Sequence, residues 1–133
     1  MNDASRRIER QDIQPAGDTQ RNIDSAIIPS SFWLGGLKIE VEYDRNLVKN
    51  RQMIGEARYG EQRIILDPSA APLQTLEQSF LHELTHWIFF IMGEEEFRNN
   101  ERIVDLFAHF LYQARVSARH DSLEDVNFRE YEE

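Results

Sequence analysis

Two histidines and a glutamate stand inside an otherwise apolar run, Phe80 to Phe90, "FLHELTHWIFF". Burying titratable groups is costly unless something pairs with them, so His82, Glu83 and His86 call for a partner. On an α-helix His82 and His86 lie about 40° apart in projection and one turn apart along the axis. Their imidazoles can therefore converge on one point. This is the H-E-x-x-H arrangement, with Glu83 about 100° round the helix, beside whatever the imidazoles hold. The donor type suits zinc, whose catalytic sites take three protein ligands and keep one position open. Manganese or cobalt can use the same donors. Such an ion lowers the pKa of water to about 7, and an adjacent carboxylate can take the proton. By composition alone the pattern arises by chance in about one such chain in a hundred. The flanking "FL" and "WIFF" argue against a solvated pair of surface histidines.

A third ligand is needed. Downstream candidates are Glu94, Glu95, Glu96, Glu101, Asp105 and His109. The three consecutive glutamates read as a solvated acidic connection. Glu101 opens a second helical pattern, and Asp105 stands one turn further along the same face. Glu101 can bind the ion while Asp105 accepts the spare N–H of a ligating histidine. Against this, acids favour the first turn of a helix in any case, and Asp105 competes as the direct ligand.

The elements that must position these groups follow from periodicity. Leu37, Ile39, Val41 and Tyr43 alternate with Lys38, Glu40 and Glu42, the pattern of a half-buried strand. Met53 to Tyr59 and Arg63 to Asp67, around a glycine-containing turn, read as a hairpin. Structure is expected to begin near Ile27. A helix follows "DPSAAP", with Thr75 and Gln78 in capping-box positions. Leu76, Phe80, Leu84, Trp87, Ile88 and Ile91 share one face of it, opposite the histidines, and Gly93 ends it. The second helix spans about 100–117, with Ile103, Leu106, Phe107, Phe110, Leu111 and Ala114 as its expected core face. Together these predict an α+β fold in which a short antiparallel β-sheet or hairpin precedes two packed helices. Residues 27–118 form the domain, between a polar, flexible arm (1–26) and an acidic tail (119–133).

Bulk properties narrow the function. The chain has 133 residues, 41% of them hydrophobic, which suits one domain with a real core. With no cysteine, any metal must be held by imidazole or oxygen. A formal charge of −9 argues against binding nucleic acid through its phosphates. No apolar run approaches the roughly 20 residues of a membrane span, and the polar N-terminus lacks the apolar centre of a secretory signal. A cytoplasmic protein is expected.

At this point the residues resemble a known group. "HELTH" followed by "NERIVD" (Asn100 to Asp105) looks like the paired motifs of the gluzincins, in which a helix with H-E-x-x-H packs against one with N-E-x-x-x-D. The small size and the strands just ahead are more similar to the ImmA/IrrE-type minimal metallopeptidases of bacteria and phages. The resemblance implies that His82, His86 and Glu101 bind Zn2+, that Glu83 is the general base, and that Asp105 orients a ligand. It implies cleavage of a protein or peptide substrate, such as a repressor or other regulator, in the host cytoplasm if the chain is phage-encoded. Larger gluzincins carry a further domain that supplies an oxyanion-stabilising side chain. Here Tyr59, His109 and Tyr112 are the candidates. The competing expectation is a non-catalytic regulatory module with a structural or vestigial metal site.

Overall fold

The computed structural model describes residues 24–69 and 71–122. Most of the expected arm and tail, residues 1–23 and 123–133, therefore lies outside the described residues. Among the described residues, packing reaches back past the expected start at Ile27. Ser25 accepts hydrogen bonds from the backbone N–H groups of Ile27 and Ile28 (2.9 and 3.0 Å) and donates to Glu77 Oε2 at 2.6 Å.

The architecture is α+β, as its periodicities predict, with a sheet of four strands among the described residues under the helices. Strand β1 (Ser31–Leu34) precedes β2 (Leu37–Tyr43). Gly35 and Gly36 join them at φ +57° and +83°, backbone that glycine adopts without a side-chain clash. A short helix α1 (Leu47–Arg51) leads to β3 (Gly55–Arg58), a 3-10 turn (Tyr59–Glu61) and β4 (Arg63–Leu66).

The strand order is β1-β2-β4-β3. The predicted hairpin exists, since β3 and β4 pair antiparallel, but the sheet as a whole is mixed, because β2 and β4 run parallel. Composition explains the order. Ile64, Ile65 and Leu66 are consecutive apolar residues, and all three are buried. Such a run needs both faces of its strand covered, so β4 takes an interior position. The mixed sequence "GEAR" of β3 is left at the edge.

Helix α2 (Leu73–Met92) crosses the sheet. The expected capping box is not formed. The helix starts three residues earlier, with Pro72 at the N-cap and no side-chain cap bond. Proline has no N–H to satisfy and carries a helix-compatible φ, so Thr75 falls inside the first turn. At the other end Gly93 (φ +76°) caps as expected, with Glu94 N–H bonded to Phe89 O and Gly93 N–H to Phe90 O. These are the two bonds of a Schellman ending. Burial extends beyond the predicted face. Leu76, Phe80 and Trp87 are buried, but so are Leu81, Thr85 and Phe89, because α2 lies between the sheet and another helix.

The connection expected to be irregular contains a single-turn helix, α3 (Glu95–Arg98). Helix α4 (Glu101–Ser117) then returns along α2, its first turn capped by the Asn100 side chain, which accepts from Ile103 N–H at 3.1 Å. Here the sequence reading needs correction. Leu106, Phe107, Phe110 and Leu111, expected in the core, are exposed, whereas Val104 and Ala108 are buried and Tyr112 packs against the core. The inward stripe is Glu101, Val104, Asp105, Ala108 and Tyr112. Small residues on it let α4 approach α2 closely enough for the two acids to meet the histidines.

Candidate metal centre

His82 and His86 project from the middle of α2 toward the first two turns of α4. Glu101 lies close to both of them. Its Oε1 is 3.1 Å from His82 Nε2 and its Oε2 is 3.2 Å from His86 Nε2. The rings are 4.9 Å apart between centroids. Ligand atoms of these three residues all lie within 4.8 Å of one another, and the group can hold a metal ion. The donors also fit such an ion chemically. Around a tetrahedral ion with bonds of about 2.0–2.1 Å, ligand atoms are about 3.3 Å apart, close to the two histidine–Glu101 separations.

The other ring nitrogen of His82 is occupied. Asp105 Oδ1 lies 2.8 Å from His82 Nδ1. The His86 imidazole is tied as well, through a hydrogen bond to the backbone of Arg98. Such partners hold a ring's orientation and tautomer and leave its remaining nitrogen aimed at the centre. Burial lowers the His86 pKa, with the Glu101 charge opposing that shift, so the neutral, ligating form is favoured. The site is closed toward the protein and open toward α4. The histidine side chains are 21% and 13% exposed, those of Glu101 and Asp105 66% and 71%.

Glu83 points to the other side, toward the edge strand. Its carboxyl group takes a hydrogen bond from the Ala57 backbone, and it is buried. Burial, reinforced by the charge of Glu101, pushes its pKa up to about 8 despite the Ala57 bond. Gly55 makes room for it. A Cβ added there would stand 3.2 Å from Glu83 Cγ and 3.1 Å from Leu66 Cδ2. Between β3, α2 and α4 runs a cleft of about 410 Å³ whose lining includes Met53, Gly55, Gln78, His82, Glu83, Asp105 and His109.

The structure thus brings together His82, Glu83, His86, Glu101 and Asp105. It does not add the acidic run. Glu94, Glu95 and Glu96 lie outside the metal-competent group, and Glu95 pairs instead with Arg98 at 2.7 Å. Of the three candidate oxyanion donors, Tyr112 is engaged elsewhere, donating to Glu77 Oε1 at 3.1 Å. His109 lines the cleft. Tyr59 stacks on Phe90 at 4.3 Å. Its pKa is raised by burial, against the hydrogen bond and charge of Arg98, which pull it down. Gly55, Ala57 and Arg98 escaped the sequence reading. A glycine and an alanine in a short strand were a signal for close approach, whereas Arg98 carried none.

No protein family, curated protein or solved structure matches this chain.

Proposed function

We propose that the protein is a zinc-dependent peptidase of the minimal gluzincin kind, similar to the ImmA/IrrE-type enzymes. One observation carries the reading. His82, His86 and Glu101 present three ligand atoms within 4.8 Å of one another, and the adjacent residue Glu83 is buried against an edge strand. A structural metal site has no use for that carboxyl group, while hydrolysis requires a base there.

A zinc ion in this cage supplies Lewis acidity, polarising a carbonyl and making water a nucleophile near neutral pH. The rest is work for the chain's own residues. Glu83 accepts a proton from the attacking water as the new C–O bond forms. It then delivers that proton to the amide nitrogen as the C–N bond breaks, leaving a carboxylate and an amine. Asp105 and the Arg98 backbone keep the two imidazoles in place.

Substrate alignment falls to β3. The sequence left either hairpin strand open for this role. Because β4 is interior, β3 is the strand whose edge lies beside the site among the described residues. The Ala57 N–H points to Glu83, so the Ala57 carbonyl, which points the same way in an extended strand, also faces the edge. An extended peptide added there is held through its backbone, and its scissile bond is carried past Glu83. The reading extends to a restricted protein substrate, such as a regulator, met in the cytoplasm. Among the described residues no helix is long and apolar enough to cross a membrane.

The test is metal content together with cleavage. Wild type is expected to hold one zinc and to cut protein in a chelator-sensitive way. Glu83→Gln is expected to retain the zinc and lose the cleavage. A Glu83→Gln protein as active as wild type refutes the mechanism. Zinc whose removal unfolds the chain, with no peptide bond ever cut, supports the non-catalytic alternative instead.

A further inference from the structure

Helix α4 has two stripes, and the metal centre uses only one of them. Glu101, Val104, Asp105, Ala108 and Tyr112 turn toward α2. Ile103, Leu106, Phe107, Phe110, Leu111 and Ala114 lie about 150° round the helix. On that outer stripe Leu106, Phe107, Phe110 and Leu111, with Phe97 from α3, are each 38% to 60% exposed. Phe89 joins them into one patch, its ring 5.6 Å from that of Phe97 and 5.9 Å from that of Phe107.

The size of the patch matches one side of a dimer. At roughly 150–250 Å² for a large side chain, the five residues leave about 500 Å² of apolar surface bare. That is at the upper end of what a monomer exposes in one place. A standard interface covers about 800 Å² on each partner, and about 65% of a homodimer interface is apolar. The product of those two figures is close to the area found here, with Arg102, Gln113 and Ser117 as the polar rim.

Charge and shape both admit a second copy. The chain has 24 acids and a net charge of −9, so most approaches between copies are repulsive. From Leu106 to Ser117, however, α4 carries no acid and one arginine, Arg115. The outer stripe is bulky in its first half, at Ile103, Leu106 and Phe107, and small in its second, at Ala114 and Ser117. Antiparallel pairing about Phe110 sets Ile103 opposite Ser117 and Leu106 opposite Ala114. A two-fold axis makes each such contact twice, bulky against small, and pairs Phe110 with its own copy.

We propose that the outer face of α4 is a homodimer interface, closed by a second copy of this chain packed antiparallel about Phe110. The assignment is independent of the peptidase reading. Glu101 and Asp105 stand on the other stripe, beside the histidines, so pairing leaves the metal centre open. Each copy also keeps its own core. Dilution therefore yields folded single chains, and Phe110 serves association rather than the fold.

The experiment is sedimentation velocity on the whole chain between about 1 and 100 μM, the weak end of the range for interfaces of this size. Wild type is expected to pass from monomer to dimer over that range. Phe110→Ser is expected to stay monomeric, its association weakened by more than about 100-fold because a central anchor is lost from both copies. The chain has no cysteine, so single thiols report the register. Phe110→Cys is expected to give a covalent dimer under mild oxidant, since residues facing each other across packed helices come within disulfide reach. Ile103→Cys is expected not to, being about 20 Å from its copy along the helix.

Crosslinking of Ile103→Cys in place of Phe110→Cys overturns the antiparallel pairing. A dimer that persists in Phe110→Ser puts the contact elsewhere and overturns the proposal, as does a wild type that stays monomeric throughout. With a monomer, the Phe110→Cys thiol identifies the true occupant. Slow labelling assigns the face to another segment of this chain, and fast labelling assigns it to a different protein.

Discussion

Asp105 Oδ1 lies 2.8 Å from His82 Nδ1, while Glu101, one turn earlier on the same helix, reaches Nε2 of the same ring at 3.1 Å. One imidazole is thus gripped at both nitrogens by a single face of α4. The ring cannot turn without breaking a contact, and its metal-facing nitrogen is set before any ion arrives.

That relationship predicts graded effects on zinc affinity. Asp105→Ala is expected to weaken binding by about 10–100-fold, because the His82 ring loses its orientation but remains a ligand. His86→Ala and Glu101→Ala, which remove a ligand outright, are expected to weaken it further. Competition against a chromogenic chelator measures all three. Equal loss in the three variants would mean that Asp105 is itself a ligand.

The environment of Glu83 predicts a pH dependence of stability in protein stripped of metal by a chelator. Its folded-state pKa is about 8 against an ordinary value of 4.5, so the native state binds the proton more tightly than the unfolded state. Stability is then full below about pH 4.5 and declines as pH rises through 8. Thermal melts across that window are expected to fall for wild type and to be flatter for Glu83→Gln, which cannot ionise. Parallel curves for the two proteins would contradict the buried, protonated carboxyl group.

Gly55 is predicted to matter through its missing side chain. Its φ is not positive, so the backbone tolerates substitution, but a Cβ would press on Glu83 and Leu66. Gly55→Val is expected to keep zinc and lower kcat by about 100-fold, the scale of a displacement of roughly 1 Å at a reacting group. Initial rates with metal analysis on the same samples decide the matter. Unchanged rates would show that Glu83 is not seated against this strand.

The orientation of α4 can be checked by stability alone. Phe110 is 60% exposed and Val104 is fully buried. Phe110→Ser is expected to change unfolding free energy by no more than about 0.5 kcal/mol. Val104→Ala is expected to lower it by about 2 kcal/mol. Urea denaturation of the two variants separates the alternatives, since a large loss for Phe110→Ser would place the aromatic stripe in the core.

Much of the candidate site was readable because helical spacing is local. "HELTH" places two imidazoles a turn apart wherever its helix packs, and "NERIVD" does the same for two acids. Strand β2, the Gly93 cap and the α+β class were legible for the same reason. The inward face of α4 was not. Ile103, Leu106, Phe107, Phe110 and Leu111 form the more apolar stripe, and a pattern reader assigns it to the core. The neighbouring stripe has Val104 and Ala108 between its acids, and it won because small residues permit the close approach that joins Glu101 to the histidines. Likewise, β1 was missed although Gly35 and Gly36 mark its turn, and the capping box failed because Pro72 starts the helix earlier.

By itself the sequence determined the donors: two imidazoles and a carboxyl group within five residues of one helix, with two acids a turn apart on the next. Those relations depend only on backbone geometry inside a single element. Which strand pairs beside Glu83, which stripe of α4 meets α2, and how the Arg98 backbone comes to meet His86 were decided by tertiary structure alone. They depend on how elements far apart in the chain exclude water from one another, and that contest has no local signature.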